Sequence, residues 1–175
     1  NGADVNTTLS DGKTLLYHVL ISEPANMDLI ILLLENGATI PPEMAHYPNV
    51  QEAITRLAHA FVLAVAANIS EYVERQIILT PYIINKKNEV GDTPLLQAIK
   101  SSVYDMAKLL IENGADVNAL HYKNTYEETT PLQFAVRKGE SGRDSSELRK
   151  IIELLQEKGA RIPSKHYKSS DKRTV

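Results

Sequence analysis

The residues of this sequence with the widest chemical capacity are its five histidines, because an imidazole ring can bind a metal ion or exchange a proton near neutral pH. No two of them stand three or four positions apart, so no helix face would present a pair, and none belongs to a known metal motif. The chain also has no cysteine. The sequence therefore predicts no metal site and no cofactor. The histidines are His18, His46, His59, His121 and His166.

Patterns typical of hydrolases and nucleotide-binding enzymes are absent as well. The glycines stand singly, whereas a phosphate-binding loop needs several of them close together before a helix. No serine occupies a Gly-x-Ser-x-Gly turn. The adjacent Glu127 and Glu128 are typical of a solvated loop rather than of an acid–base pair. We therefore predict that the chain is not an enzyme.

Charge and hydropathy narrow the classes of partner. The net charge of −3 does not favour nucleic acid, and the basic segment from Arg161 to Val175 is expected to be a solvated tail. Apolar runs are far shorter than the roughly 20 residues needed to cross a bilayer, so no membrane partner is expected. Without cysteines or a signal peptide, we expect a cytoplasmic protein, or one acting in a host cytoplasm if it is a secreted effector of an intracellular microbe.

A short motif recurs along the chain and divides it into units. Gly-Ala-Asp-Val occurs at 2–5 and again at 114–117, with weaker copies at 37–40 and 159–162. The intervals between unit ends fit a base period of about 33 residues with two insertions of about 11. The units end at Val5, Ile40, Ile84, Val117 and Ile162, and the segments that depart from the period are 41–51, 119–129 and 140–146.

Each unit carries the signals of two consecutive helices. Thr14, Thr93 and Thr130 are expected to cap first helices, and a proline follows two of them at the first helical position. Glycines are expected to end the second helices. Whether 49–67 is one helix or two stays open. The predicted helices are 14–22, 27–35, 49–67, 70–79, 94–101, 103–112, 131–138 and 145–157, and the expected caps of second helices are Asn26, Asn49 with Glu52, Ser70, Ser102 with Asp105, and Asp144 with Glu147.

The segment 91–98, followed by 109–118, resembles an almost complete ankyrin repeat. The resemblance extends over four to five units, one of which, at 60–84, is degenerate and has Phe61 where threonine is expected. It implies an all-α solenoid of helix–turn–helix units with finger loops at 1–163, sharing one continuous apolar interior, followed by a basic tail at 164–175. Because the chain opens on the end of a unit, we expect a fragment of a longer protein.

The resemblance also implies a function. Ankyrin stacks bind a partner protein or peptide on a concave face that is lined by fingers and first helices. An alternative is a targeting or substrate-docking arm of a larger enzyme, channel or secreted effector, and a third is a structural spacer. The sequence does not indicate the partner or the oligomeric state.

Candidate contact residues follow from this expected face. Tyr122 and Tyr126 either contact the partner or cover the lengthened finger, whereas Leu120 is expected at an interface because a fingertip offers it little to pack against. The candidates are Leu9, Asp11, Lys13 and Tyr17 in the first unit; Lys86, Lys87, Glu89, Asp92, Leu96, Gln97 and Lys100 in the third; and Leu120, His121, Tyr122, Lys123, Tyr126, Glu127, Gln133 and Lys138 in the last.

Overall fold

The architecture was obtained as a computed structural model, which describes residues 4–122, 128–143 and 145–162. In these segments the chain forms eight α-helices. All eight lie where the sequence predicted them, with ends within one residue, and the stretch whose division was open forms a single helix. They are α1 (Leu15–Ile21), α2 (Met27–Glu35), α3 (Pro48–Ala66), α4 (Ser70–Leu79), α5 (Pro94–Lys100), α6 (Tyr104–Glu112), α7 (Pro131–Lys138) and α8 (Ser146–Glu157).

Short elements occupy the irregular segments. The first insertion forms a 3-10 turn, Pro42–Met44, before α3, and a similar turn, Pro81–Ile83, follows α4. The lengthened finger contains a two-stranded antiparallel ribbon of β1 (His121–Tyr122) and β2 (Glu128–Thr129). A wide turn at Gly139–Arg143 separates α7 from α8. No helix in the described segments is long and apolar enough to span a membrane.

Threonine hydroxyls cap the N-termini of three of the four first helices, as predicted. Thr14, Thr93 and Thr130 each accept a hydrogen bond from the backbone N–H three residues later, at 3.2–3.3 Å. Each hydroxyl thereby satisfies an amide that has no partner within the helix. Proline follows Thr93 and Thr130 at the first helical position.

The caps of the second helices agree with the sequence in part. Asn26 accepts the Leu29 N–H at 3.0 Å, as expected. The last helix is capped by Ser145, which accepts the Leu148 N–H at 3.1 Å, while the expected cap Asp144 lies outside the described residues.

Three other expected caps are wrong. Asn49 lies inside the first turn of α3, after Pro48, and its amide donates to the Leu20 carbonyl at 2.9 Å. Ser70 is the first helical residue of α4 rather than its cap. Ser102 lies two residues before α6, and its hydroxyl accepts a hydrogen bond from Lys138 instead. In the first and third cases, contacts between units occupy the side chain.

Glycine ends three of the second helices. The φ values of Gly37, Gly114 and Gly159 are +85°, +88° and +80°. A residue with a side chain would be strained in this backbone conformation. In each case the next residue donates its N–H back to a carbonyl of the last helical turn at 2.8–2.9 Å.

The helices form four consecutive pairs, here called unit 1 (α1, α2), unit 2 (α3, α4), unit 3 (α5, α6) and unit 4 (α7, α8). In units 2 to 4 the first helices pack on one another, since α5 lies between α3 and α7, whereas α3 contacts unit 1 mainly through α2. In the other layer α6 packs on α8. This is the predicted solenoid of helix–turn–helix units.

The buried side chains form two clusters rather than the single interior that we expected. One contains unit 1 and the N-terminal half of α3, and the other contains the C-terminal half of α3, α4, and units 3 and 4. The cause is the first insertion, which lengthens α3 at its N-terminus. The added turns carry Val50 and Ala53, which pack against unit 1.

The register of the degenerate unit also needs correction. Phe61 is fully buried, as are Leu16 and Leu95, the leucines two positions after the capping threonines. Phe61 therefore takes the place of that leucine, and His59 takes the place of the threonine. Because His59 lies in the middle of α3, no cap is needed there.

Candidate binding surface

Three asparagines fix the fingers to the neighbouring unit. The amides of Asn6, Asn85 and Asn118 donate to the carbonyl of the glycine that ends the next second helix, at 3.0, 3.5 and 3.2 Å. Their side-chain oxygens accept the N–H two residues beyond that glycine, at 2.7–2.8 Å. We call this repeated pair of hydrogen bonds the asparagine ladder. It places one finger beside the next along the stack.

The first finger is a tight hairpin that presents all four of its predicted contact residues together. Leu9 donates its N–H to the Lys13 carbonyl at 2.8 Å, and the Asp11 carboxylate accepts the Lys13 N–H at 3.0 Å. That hydrogen bond, with the nearby His18 ring, holds the pKa of Asp11 below its usual value. The Lys13 ammonium lies 4.5 Å from the centre of the Tyr17 ring. Leu9 stays exposed at the tip.

The finger between α4 and α5 turns around Asn88. The Asn88 side chain accepts the N–H groups of Val90 and Asp92 at 3.1 and 2.9 Å. The tip presents Val90, with 68% of its surface exposed. The predicted contact residues Lys86, Lys87 and Glu89 are exposed on the same loop.

Asp92, by contrast, is buried and is not available to a partner. Its carboxylate accepts hydrogen bonds from the Lys100 ammonium at 2.6 and 2.7 Å and lies 2.9 Å from Nδ1 of His121. That nitrogen also lies 3.2 Å from the Gly91 carbonyl oxygen. Asp92 therefore anchors the lengthened finger to α5. His121 is mostly buried and Lys100 is partly buried in this cluster.

Two further predicted contact residues lie in the interior. Leu96 is buried. Lys138 is buried as well, because its ammonium donates to the carbonyls of Ile99 and Lys100 at 2.6 and 2.9 Å and to the Ser102 hydroxyl at 2.7 Å. We therefore remove Asp92, Leu96 and Lys138 from the candidate surface.

The remaining predicted residues have mixed positions. Gln97 and Gln133 are half-buried on first helices, and Gln97 donates to the Ser101 hydroxyl at 3.0 Å. Leu120 is half-buried rather than standing free at a fingertip, and its carbonyl accepts from Lys87 at 2.6 Å. Tyr122 lies in β1 and only its backbone is described. Lys123, Tyr126 and Glu127 lie outside the described residues, so the role of that part of the finger stays a prediction.

The sequence analysis missed two surface residues on first helices. Leu63 projects from α3 on the side opposite to Phe61 and Val65 and is 55% exposed. Phe134 has the equivalent place on α7, half-buried, with the Lys100 ammonium 5.9 Å from its ring centre. Aligning Phe61 with the leucines of the other units would have shown Leu63 in this position.

The chain is similar to several known proteins. Residues 61–166 match the family model described as ankyrin repeats, three copies. A relative from Caenorhabditis elegans, a transient receptor potential cation channel subfamily A member 1 homolog, is 30% identical over 171 residues. The match covers 98% of this chain but 12% of that protein. The crystal structure of the ankyrin repeat domain of Bcl-3, a member of the IkappaB protein family, is 20% identical with a TM-score of 0.48, and covers 91% of this chain and 76% of that one.

Proposed function

Since the chain belongs to the ankyrin repeat family, we propose that it binds another protein or a peptide on the surface formed by its fingers and first helices. Ankyrin repeats are generally protein interaction modules. The contact lies on this surface, and the protein acts in the cytoplasm.

The observation that carries the proposal is the exposure of apolar side chains on this surface. Leu9 and Val90 stand at fingertips of units 1 and 3, and Leu63 lies on the first helix of unit 2 between them. Burying one such side chain stabilises a complex by about 1.5–3 kcal/mol. Lys13 and Lys86 lie near the two tips and are exposed. Exposed apolar side chains beside charged groups are typical of protein interfaces.

Site-specific photo-cross-linking tests the location. A benzoylphenylalanine placed at Leu63 or Val90 should capture the same partner in cells, because both positions face it. The matched control is Ile78, which is 77% exposed on the second helix α4 and lies outside the proposed surface. Capture at position 78 with none at 63 and 90 would contradict the proposal.

A second arm separates specific capture from collision. Leu63→Glu, introduced into the protein that carries the cross-linker at position 90, should reduce capture at least tenfold, because a buried charge without a partner is costly. Ile78→Glu in the same background should leave capture unchanged. Equal capture in both variants would show that the surface around Leu63 is not the contact.

The similarity to the channel homologue favours a second candidate, in which the segment docks within its own assembly. The same cross-linking distinguishes the two. Capture of another copy of the parent polypeptide supports the docking arm, whereas capture of a different protein supports a recruiting module. No capture at either position would favour the spacer.

A further inference from the structure

We propose that the open side of unit 1 binds a further ankyrin-type helix pair, stacked on it as unit 2 is stacked on unit 3. This side, called here the open side, consists of Leu15 on α1 and Leu29 and Leu32 on α2. It is separate from the finger surface, so this inference does not depend on the proposed function.

The hydrogen bonds at the ends of α2 and α6 establish which residues correspond. Asn36 donates its side-chain amide to the Leu32 carbonyl at 2.8 Å, and Asn113 donates in the same way to the Leu109 carbonyl at 2.9 Å. Leu32 therefore corresponds to Leu109. Counting back three residues along each helix, Leu29 corresponds to Met106.

In unit 3 the corresponding residues face the preceding unit. Met106 and Leu109 form the floor of a groove of 280 Å³ whose opposite wall contains Ser70 and Glu74 of α4. Met106 is almost completely buried. Pro94, which corresponds to Leu15, is buried as well.

In unit 1 two of the three positions are open, while Leu29 is half-buried against the cluster of that unit. Leu32 has 54% of its surface exposed, and Leu15 has 43%. Both are large apolar residues at places where unit 3 meets a neighbour. Continuity with the interfaces inside the stack therefore indicates what covers them.

The opposite end of the stack is built differently. On α6, Ile111 is buried on the side away from Leu109, toward unit 4. The corresponding residue of α8 is Gln156, and Arg149 stands where α6 has Tyr104; both polar residues are exposed. A polar outer face is characteristic of a terminal capping repeat. These two positions of unit 4 are polar, although Ile162 beyond α8 is 51% exposed, whereas Leu15 and Leu32 of unit 1 are apolar.

Val5 and Asn6 show where an added helix pair would connect to unit 1. Val5 packs against the cluster of unit 1. The Asn6 side chain bonds to Gly37 and Thr39 in the way that the other rungs of the asparagine ladder join consecutive units. A helix pair that ends shortly before these residues would therefore continue the stack in register. A second copy bound from solution would not be connected in this way.

A fusion tests the proposal, because Asn-Gly-Ala-Asp-Val-Asn occurs both at 1–6 and at 113–118. A copy of residues 85–112 placed before Asn1 recreates a unit that closes at Val5. The added helices should increase the helical circular dichroism signal. Backbone amides of α2 should exchange about tenfold more slowly or better, because the open side becomes buried.

Two variants control the fusion. Leu32→Glu should abolish the slower exchange, while Ile78→Glu, at a comparably exposed apolar residue on α4, should retain it. Leu32→Glu without the fusion should leave the melting temperature unchanged. An added unit that stays unfolded, or α2 exchange that is unaltered, overturns the proposal, since the same sequence folds beside unit 2. Concentration-dependent dimers of the unfused chain that Leu32→Glu dissociates would overturn it too, by showing a second copy on the open side.

Discussion

The ammonium group of Lys138 is buried at the end of α5, where it donates hydrogen bonds to the carbonyls of Ile99 and Lys100 and to the Ser102 hydroxyl. The two carbonyls have no partner within α5, because the last carbonyls of a helix are left unpaired. That of Ile99 also accepts the Ser102 N–H at 3.2 Å. A cation in this place also interacts favourably with the helix dipole. One side chain of unit 4 thus completes a helix of unit 3.

Replacing Lys138 with methionine should therefore destabilise the protein. The side chain keeps its length and apolar part, but the Lys100 carbonyl loses this donor while the Ile99 carbonyl keeps the Ser102 N–H, at a cost of about 1–2 kcal/mol. Urea denaturation measures the loss. Lys108→Met is the matched control, because Lys108 is exposed on α6 and its contact with Glu112 is long, at 3.8 Å. An equal effect of both substitutions would contradict the prediction.

Tyr72 should make stability depend on alkaline pH. Its hydroxyl donates to the Glu35 carboxylate at 3.1 Å, and burial together with that negative charge raises the pKa of Tyr72 to about 12. The unfolded chain therefore loses this proton at lower pH than the folded one. The contribution is present below pH 10 and is lost as pH rises toward 12. Tyr72→Phe should flatten the decline of the unfolding free energy in this range, and parallel curves would rule the effect out.

Single residues were also where sequence reasoning failed. Asp92, Leu96 and Lys138 follow the finger or first-helix pattern, and their types suit a binding face. Their burial depends on partners many residues away, such as the His121 ring against Asp92. The pattern of residue types within one unit does not predict such contacts.

At the scale of elements, the helices were predictable because their signals are local. Thr14 and Thr93 bond within one turn, and Gly114 needs only its own backbone conformation. The caps Asn49 and Ser102 were mispredicted for the converse reason, since their side chains bond to other helices. The candidate surface stays a prediction, and its exposed apolar residues Leu63 and Val90 were not predicted from the sequence.

The asparagine ladder should contribute to stability through its hydrogen bonds between fingers and helix ends. Asn85→Ala removes one donor and one acceptor between the finger and unit 3, which should lower the unfolding free energy by about 1–2 kcal/mol. Asn85→Asp keeps the oxygen that accepts the Asp116 N–H at 2.7 Å and should recover part of the loss. Thermal unfolding of the two variants gives the comparison. Equal destabilisation would show that the accepted hydrogen bond contributes nothing.

At the scale of the whole molecule, the junction between units 1 and 2 differs from the others. Pro41 follows Ile40 in the place of a ladder asparagine, and proline has no side-chain amide. The lengthened helix α3 joins these units instead, because its first turns pack on unit 1 and its last turns belong to the second cluster. Tyr72, Arg75 and Gln76 of α4 also donate hydrogen bonds to Glu35 and Asn36 of unit 1. In a solenoid, stability is a sum of unit and interface terms. We therefore predict that the two parts open separately.

Two valine substitutions test this division. Val50 and Val73 are both fully buried, the first in the cluster of unit 1 and the second in the larger cluster. Each change to alanine should cost about 2 kcal/mol locally through the cavity it leaves. In native-state hydrogen exchange, Val50→Ala should speed exchange in α1 and α2 while leaving α7 unchanged, and Val73→Ala should leave α1 unchanged. If either substitution speeds exchange equally across all the helices, the molecule opens as one cooperative body, and α3 transmits stability between the clusters rather than separating them.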